Sequence, residues 1–299
     1  MGRVFDRVLH SAIAGVAALA LLSFAQSVHP FFDSLSHFRL HMAVLLGACA
    51  VLLLLRRDWA AALPVLLVAA AALAMTGPAL QRVEPVPEAD VTLLQFNTRF
   101  DNATPQAIIA EVQTLRPDVV TLQEVSPNTS VILEQIQQAY PYQLSCPFSG
   151  VGGVAVLSRH RFTAKHCKAG AGLAWARIDL GQREVSVASL HLHWPWPHGQ
   201  AQQVAAFIPV LAALPAPVVI AGDFNAAPWS AAVARLAAAS GTVVAPGLRF
   251  TLKRTLPGLG SVPVLPIDHV LVSTGASAEI TLGKDAGSDH LPLLARIRF

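Results

Sequence analysis

Everything before about Leu80 constrains this chain more than the remainder does, because Leu, Ala and Val run through that part almost unbroken. Three stretches stand out, residues 8–28, 38–55 and 59–80. Each comes close to the roughly twenty apolar residues that carry a helix across a bilayer, so residues 1–82 read as a membrane anchor with three transmembrane helices. A hydrophobic fraction of 54% and a mean hydropathy of +0.52 are too high for an ordinary soluble protein, and the excess is concentrated here. A cleaved signal peptide is the alternative for the first stretch, since Arg3 and Arg7 precede it; against that, two more stretches follow and no small-x-small site is well placed. Arg39 and His41 crowd the start of the middle stretch and leave a re-entrant or tilted helix open there.

Arginines set the orientation, because short loops rich in Lys and Arg stay on the cytoplasmic side. Arg3 with Arg7, and Arg56 with Arg57, belong inside, whereas residues 30–39 set one Arg against Asp33 and suit the outer face. Three spans from a cytoplasmic N-terminus deliver the rest of the chain to the far side, which for a bacterial inner membrane is the periplasm.

After the apolar part comes Val83-Glu84-Pro85-Val86-Pro87-Glu88, whose prolines forbid a continuous helix and favour an extended linker over residues 83–89. Residues 90–299 then mix polar and apolar side chains as a folded domain does. Cations and carboxylates nearly balance in this domain and the whole chain carries only +3, so no charge-driven partner is implied. Protein partners stay unknown at this level. Of the three cysteines, Cys49 falls in an apolar stretch, and Cys146 with Cys167 suit one bridge or two buried thiols equally.

Within the domain, helix and strand signals alternate. Val91-Thr92-Leu93-Leu94-Gln95-Phe96 reads as a buried strand, and Thr104-Pro105 opens a helix that ends near Leu115, before Pro117. A strand over 118–123 and a helix over 127–138 follow, then short strands near Tyr142 and over 154–158, 162–168, 173–180 and 184–192 that read as one antiparallel meander. Helical pattern over 199–214 and 230–239 brackets a strand at 217–221, and strands at 267–273 and 293–299 close the chain. The fold class is therefore α/β or α+β, with helices covering apolar strands.

Polar residues gather at strand ends, where sheets covered by helices build their sites. They read Gln95-Phe96-Asn97-Thr98-Arg99, Leu122-Gln123-Glu124, Ser189-Leu190-His191-Leu192-His193, Gly222-Asp223-Phe224-Asn225, Ile267-Asp268-His269 and Ser288-Asp289-His290-Leu291-Pro292. Taken singly they are ambiguous: Glu124 suits a helix N-terminus, Asp223 and Asn225 suit a turn, and a lone histidine suits a surface hydrogen bond. Together they match what phosphodiester hydrolysis requires. Glu124 and Asp289 offer oxygen ligands for magnesium or manganese. Asp268 beside His290 offers an oriented base for water. Asn97, Asn225 and a protonated His191 offer donors for the charge that develops on phosphorus.

This ordered series resembles the endonuclease/exonuclease/phosphatase superfamily, and the resemblance covers residues 90–299 with every motif in order. It implies a four-layer sandwich of two mixed β-sheets flanked by helices, and a Mg2+- or Mn2+-dependent phosphoester hydrolase. It implies that Glu124 is the principal metal ligand with Asn97 beside it and Asp289 near the metal. It further implies that Asp223 and Asn225 position nucleophile and phosphate, that His191 binds the scissile phosphate or assists the leaving group, and that Asp268 orients the base His290. One departure is Arg99, which stands where many nucleic-acid-cleaving relatives carry a carboxylate, and which suits either a phosphate contact or a pair with Asp101. Where apurinic endonucleases use Tyr, this sequence has His191, which shifts the likeness toward the deoxyribonuclease and sphingomyelinase branches.

The substrate expected is a phosphodiester, either a nucleic acid fragment or a phospholipid headgroup. A catalytically silent envelope binding protein is the rival, and retention of Glu124, Asp223, Asp268 and His290 argues against it. The basic groups Arg159-His160-Arg161 with Lys165, and Arg249 with Lys253-Arg254, are candidates to rim the site. Trp194-Pro195-Trp196-Pro197 suits a base stack, a lipid contact or a packed rigid loop.

Overall fold

In the computed structural model, which describes residues 2–299, two runs of β-branched and aliphatic residues lie side by side in parallel: β1 (Val91–Asn97) and β2 (Val119–Val125). A parallel pair needs a crossover, and α5 (Pro105–Leu115) provides it. That helix starts with Pro105 in its first turn and stops at Arg116, which takes a left-handed φ of 48° ahead of Pro117. β7 (Glu184–His191), α7 (Gln200–Ala212) and β8 (Val218–Asp223) repeat the arrangement.

Antiparallel neighbours extend each pair into a six-stranded sheet. The first runs β13 (Ser277–Leu282), β14 (Leu293–Arg298), β1, β2, β4 (Gly152–Ser158), β3 (Tyr142–Ser149). The second runs β5 (Phe162–Lys168), β6 (Leu173–Asp179), β7, β8, β12 (Asp268–Ser273), β9 (Thr242–Val244). The segment expected as one meander is thus divided, β3 and β4 going to one sheet and β5 to β7 to the other. A hairpin of β10 (Leu252–Leu256) and β11 (Gly260–Leu265), absent from the sequence reading along with β9 and β13, stands apart from both sheets.

Three apolar layers hold the sandwich. Val91, Leu93, Val119, Val187, Val219 and Val270 meet between the sheets. α5 and α6 (Val131–Ile136) bury Ile108, Val112 and Ile132 on the outer face of the first sheet, and α7 with α8 (Ala231–Ser240) bury Val204, Phe207 and Leu236 on the second. This is the expected arrangement of two mixed sheets flanked by helices. Cys146 on β3 is bonded to Cys167 on β5, so a disulfide joins edge strands of opposite sheets; Cys49 is free.

The apolar part departs from the expectation of three transmembrane helices. Among the described residues one helix, Val4–Ala25, is long and apolar enough to cross a membrane; it joins α1 (Gly2–Leu22) to a 3-10 turn. A second qualifies only if α2 (Pro30–Ser36) and α3 (Arg39–Leu55), bent by 58° at their break, count as one span. α4 (Trp59–Ala74) has 16 residues, because Thr76-Gly77-Pro78 ends it before the apolar run ends. Composition ran on where the backbone breaks. The helices pack on one another through Ile13, Ala20, Leu46, Ala50 and Ala69 and turn Leu19, Leu45, Val51, Leu63 and Leu67 outward. Nor is the 83–89 linker loose: Glu279 accepts from Val86 N, and Arg296 donates to the carbonyls of Val86 and Pro87.

Candidate active site

The site grows out of the space between the sheets. Side chains alternate along a strand, so Val91, Leu93, Gln95 and Asn97 share one face of β1, and Val219, Ala221 and Asp223 one face of β8. On β7 the inward residues Val185 and Val187 give way to Ser189 and His191, and β12 enters with Asp268 before Val270 and Val272. Register then sets the pairs: His191 lies opposite Asp223, and Asp223 opposite Asp268. Each strand ends its apolar run at the same edge, so the inter-sheet core becomes a polar cluster there.

Beneath the cluster runs a buried ladder. Gln95 Nε2 donates to Gln123 Oε1 at 2.8 Å and to Asp268 Oδ1 at 2.9 Å, and Gln123 Nε2 donates to Ser189 Oγ at 3.0 Å. It bridges the sheets and holds Asp268, whose Oδ2 lies 2.7 Å from His290 Nδ1. Ser288 Oγ accepts from His290 N and donates to Asn97 O, tying the last loop to β1. Gln200 and Gln203, at the start of α7, secure the loop after β7: Gln203 Oε1 accepts from His193 N, and Gln200 Nε2 donates to the carbonyls of His193, Phe224 and Asn225. The sequence quoted Gln95 and Gln123 inside its motifs without giving them a task, and Gln200 and Gln203 carried no signal there.

Around the opening, Asn97 Nδ2 donates to Glu124 Oε1 at 3.1 Å and to Asp223 Oδ2 at 3.0 Å. His191 Nε2 lies 3.5 Å from Asp223 Oδ2 and 3.9 Å from Glu124 Oε1, and His290 Nε2 lies 3.8 Å from Asp223 Oδ2. Donor atoms of Glu124, His191 and Asp223, and of Asp223, Asp268 and His290, fall within 4.8 Å of one another in each set, a spacing that a metal ion can use. Arg99, Glu124 and Asn225 hold left-handed φ values of 58°, 58° and 45°. Such backbone costs energy in residues other than glycine and concentrates at sites.

Burial shapes the charges. It pushes the Asp223 carboxyl up to about 8, and it raises Glu124 despite the donors Asn97 and Phe100 N. Burial alone would lower His290, but the carboxylates of Asp268 and Asp223 outweigh it and push its pKa up to about 10. Burial likewise opposes ionisation of Asp268, yet the His290 charge and its hydrogen bonds hold it below the usual carboxylate range. His191 is driven down to about 3 by burial, so it is neutral rather than the protonated group expected, and its buried Nδ1 has no partner.

Other expected site residues differ in detail. Asn225, expected as a donor, gives one Nδ2 hydrogen to Leu192 O and has a buried, unpartnered Oδ1. Asp289, expected near a metal, pairs with Arg254 at 3.2 Å, and its charge also reaches Glu124, whose ionisation it opposes. Arg99 pairs with Asp101 at 2.6 Å. In the second basic group Lys253 pairs with Asp285, and Arg249 donates to the carbonyls of Ala245 and Pro246. The first lies at the wrong edge, since Arg159 N bonds Asp118 O at the start of β2, and Glu124 lies near the other end. At the rim, Phe148 packs on His191 and His193, and Trp194, Trp196 and Phe100 are 44%, 47% and 39% exposed.

A model of the Endonuclease/Exonuclease/phosphatase family matches residues 94–290. Among solved structures, TDP2 from D. rerio with a single-strand DNA product is similar at 17% identity and a TM-score of 0.56, over 70% of this chain and 99% of that one. Sphingomyelinase C from Streptomyces griseocarneus is similar at 20% identity and a TM-score of 0.50, over 69% and 98%. A beta toxin from Staphylococcus aureus with bound magnesium ions is similar at 16% identity and a TM-score of 0.52, over 69% and 99%. At such identities the likeness establishes the fold. No curated protein sequence matches the chain.

Proposed function

The chain belongs to the Endonuclease/Exonuclease/phosphatase family, and from that premise we propose that it is a divalent-metal-dependent phosphodiesterase working at the outer face of a membrane. One observation carries the reading: His290, bonded to Asp268 at 2.7 Å, groups with Asp223, which groups in turn with His191 and the half-buried Glu124. The donor set fits magnesium or manganese, because two carboxylates whose ionisation burial opposes converge where a hard cation would relieve them. Glu124 and Asp223 would hold the cation. Asn97 turns its nitrogen toward them and so positions both carboxylates. A bound cation would offset charge on a phosphoryl oxygen and acidify a water.

The chain's own residues supply the rest. Asp268 fixes His290 through Nδ1, leaving Nε2 to exchange a proton with water or with the leaving oxygen. The carboxylates of Asp268 and Asp223 both hold the proton on His290, so engaging the Asp223 charge on a cation would ease its release. Neutral His191 offers Nε2 beside Asp223, where it can donate to a phosphate oxygen.

The exposed Trp194, Trp196 and Phe100 favour a second reading in which the phosphodiester belongs to a bilayer lipid headgroup. Metal-dependent turnover of bis-p-nitrophenyl phosphate tests the class, and a catalytically silent binding protein would show none. Asp223→Ala and His290→Ala should each lower it by several orders of magnitude in a folded chain, and retention of more than about a tenth of the activity would remove these role assignments. Phospholipid vesicles, short oligonucleotides and plasmid assayed side by side separate the substrates.

A further inference from the structure

The helical segment before the domain touches three of the loops that build the site. We propose that residues 26–41, which join α1 to α3, are a positioning element of the active site and hold those loops at their working separations. The proposal rests on the phosphodiesterase reading above.

The loop that follows Asp223 and Asn225 is held most firmly. Asp33 in α2, 7% exposed, accepts from Ala231 N at 2.7 Å and Ala232 N at 3.0 Å. A carboxylate from the apolar part thus satisfies the first free N–H groups of α8 and sits at the positive end of that helix. Gln26 Nε2 donates to Trp229 O at 3.0 Å, and Trp229 Nε1 donates to Ser36 O at 2.7 Å. All four bonds fall on residues 229–232, just past the turn whose Ala226 O bonds His269, the neighbour of Asp268.

The other two loops are reached from the same stretch. Phe31 meets Trp196 edge-on at 5.1 Å, and Ser34 Oγ, whose hydrogen is shared with Pro30 O at 3.0 Å, lies 3.4 Å from Trp196 O, which braces the loop that follows His191 and His193. His41 Nε2 lies 3.0 Å from Val264 O, and its ring packs on Phe250 at 6.0 Å. Val264 precedes Asp268 by a short extended segment, and Phe250 adjoins Thr251, whose hydroxyl accepts from Asp268 N.

The segment that makes these contacts is itself fixed. Arg39 is fully buried, its Nη2 donating to Ser23 O and Gln26 Oε1 at 2.6 Å each while its Nη1 has no partner, and Ser36 Oγ donates to Asp33 Oδ1. A passive tether requires no buried polar network, and the hydrogen bonds that offset the burial of these groups are made in this one arrangement. Displacing catalytic groups by a fraction of an ångström is enough to slow a reaction that depends on their alignment.

The test uses the full chain in lipid nanodiscs, with bis-p-nitrophenyl phosphate and magnesium or manganese. Asp33→Ala and Trp229→Phe should each lower kcat about tenfold while KM stays within about twofold and the melting temperature is kept. Asp33→Asn, which keeps one oxygen for one of the two N–H groups and sets its NH2 against the other, should recover part of the loss. Wild-type kcat in both Asp33→Ala and Trp229→Phe overturns the proposal, as does an Asp33→Asn kcat no higher than that of Asp33→Ala. If Asp33→Ala does not fold, Trp229→Phe and Gln26→Ala decide by the same criterion. Absence of turnover in the unaltered chain defeats the phosphodiesterase reading first and the positioning role with it, an outcome distinct from loss in the variants alone.

Discussion

Gln95 has no reacting atom to touch, yet its amide holds Asp268 Oδ1 and Gln123 Oε1 together in a space closed to water. Gln95→Leu strands both acceptors and frees Asp268 to turn, so kcat toward a soluble phosphodiester should fall about ten- to a hundredfold with little change in KM. Steady-state kinetics beside circular dichroism checks this, and unchanged kcat would remove the ladder from the mechanism. His269 gives a pH prediction of definite sign. Burial lowers its pKa from 6.5 to about 4, so the folded chain keeps it neutral while the unfolded chain takes up a proton as pH falls. Its contribution to stability is present above pH 6.5 and is lost as pH drops toward about 4. His269→Gln should therefore show a shallower fall in melting temperature than the unaltered chain over that interval. Residue types were legible in the sequence because strand-end motifs name them. The direction each side chain faces was not: Asp289 pairs with Arg254, and Asn225 gives one of its two amide hydrogens to Leu192 O, choices set by neighbours far away in sequence.

At the scale of elements, the strands announced themselves through alternation, and the same alternation held a further message. Val185-Val187-Ser189-His191 and Val91-Leu93-Gln95-Asn97 show one face passing from apolar to polar, which marks the edge where the site lies. What alternation cannot give is partnership across sequence, and so β4 and β5 were read as neighbours although they lie in different sheets. Helix ends were similarly hidden by composition: the run from Trp59 looks continuous, and Gly77-Pro78 stops it. The bond between Cys146 and Cys167 joins β3 to β5, the outermost strands of the two sheets, across a separation of 21 residues. Closing a loop of that size restricts the unfolded chain by about 3 kcal/mol, so Cys146→Ser with Cys167→Ser should lower the melting temperature while leaving turnover at room temperature largely intact. A reductant added to the unaltered chain should reproduce the shift, and no shift in either case would show the bond to be dispensable.

For the molecule as a whole, one helix carries a prediction of orientation. If Val4–Ala25 crosses the bilayer with its N-terminal end, which carries Arg7, on the cytoplasmic side, then Gln26, Asp33 and Ser36, and the domain bonded to them, should lie on the opposite side. Alkaline phosphatase fused after Glu88 should be active, and an inactive fusion would reverse the arrangement. The way the domain rests on the apolar helices has a further consequence. The chain between them offers an obvious place for a protease, since the side chain of Arg82 is 88% exposed. Cutting there severs the peptide but none of the bonds from Gln26, Asp33, Ser36 and His41. The nicked halves should therefore stay together as one complex, and their separation on gel filtration after cleavage at Arg82 would show that the peptide link alone joins them.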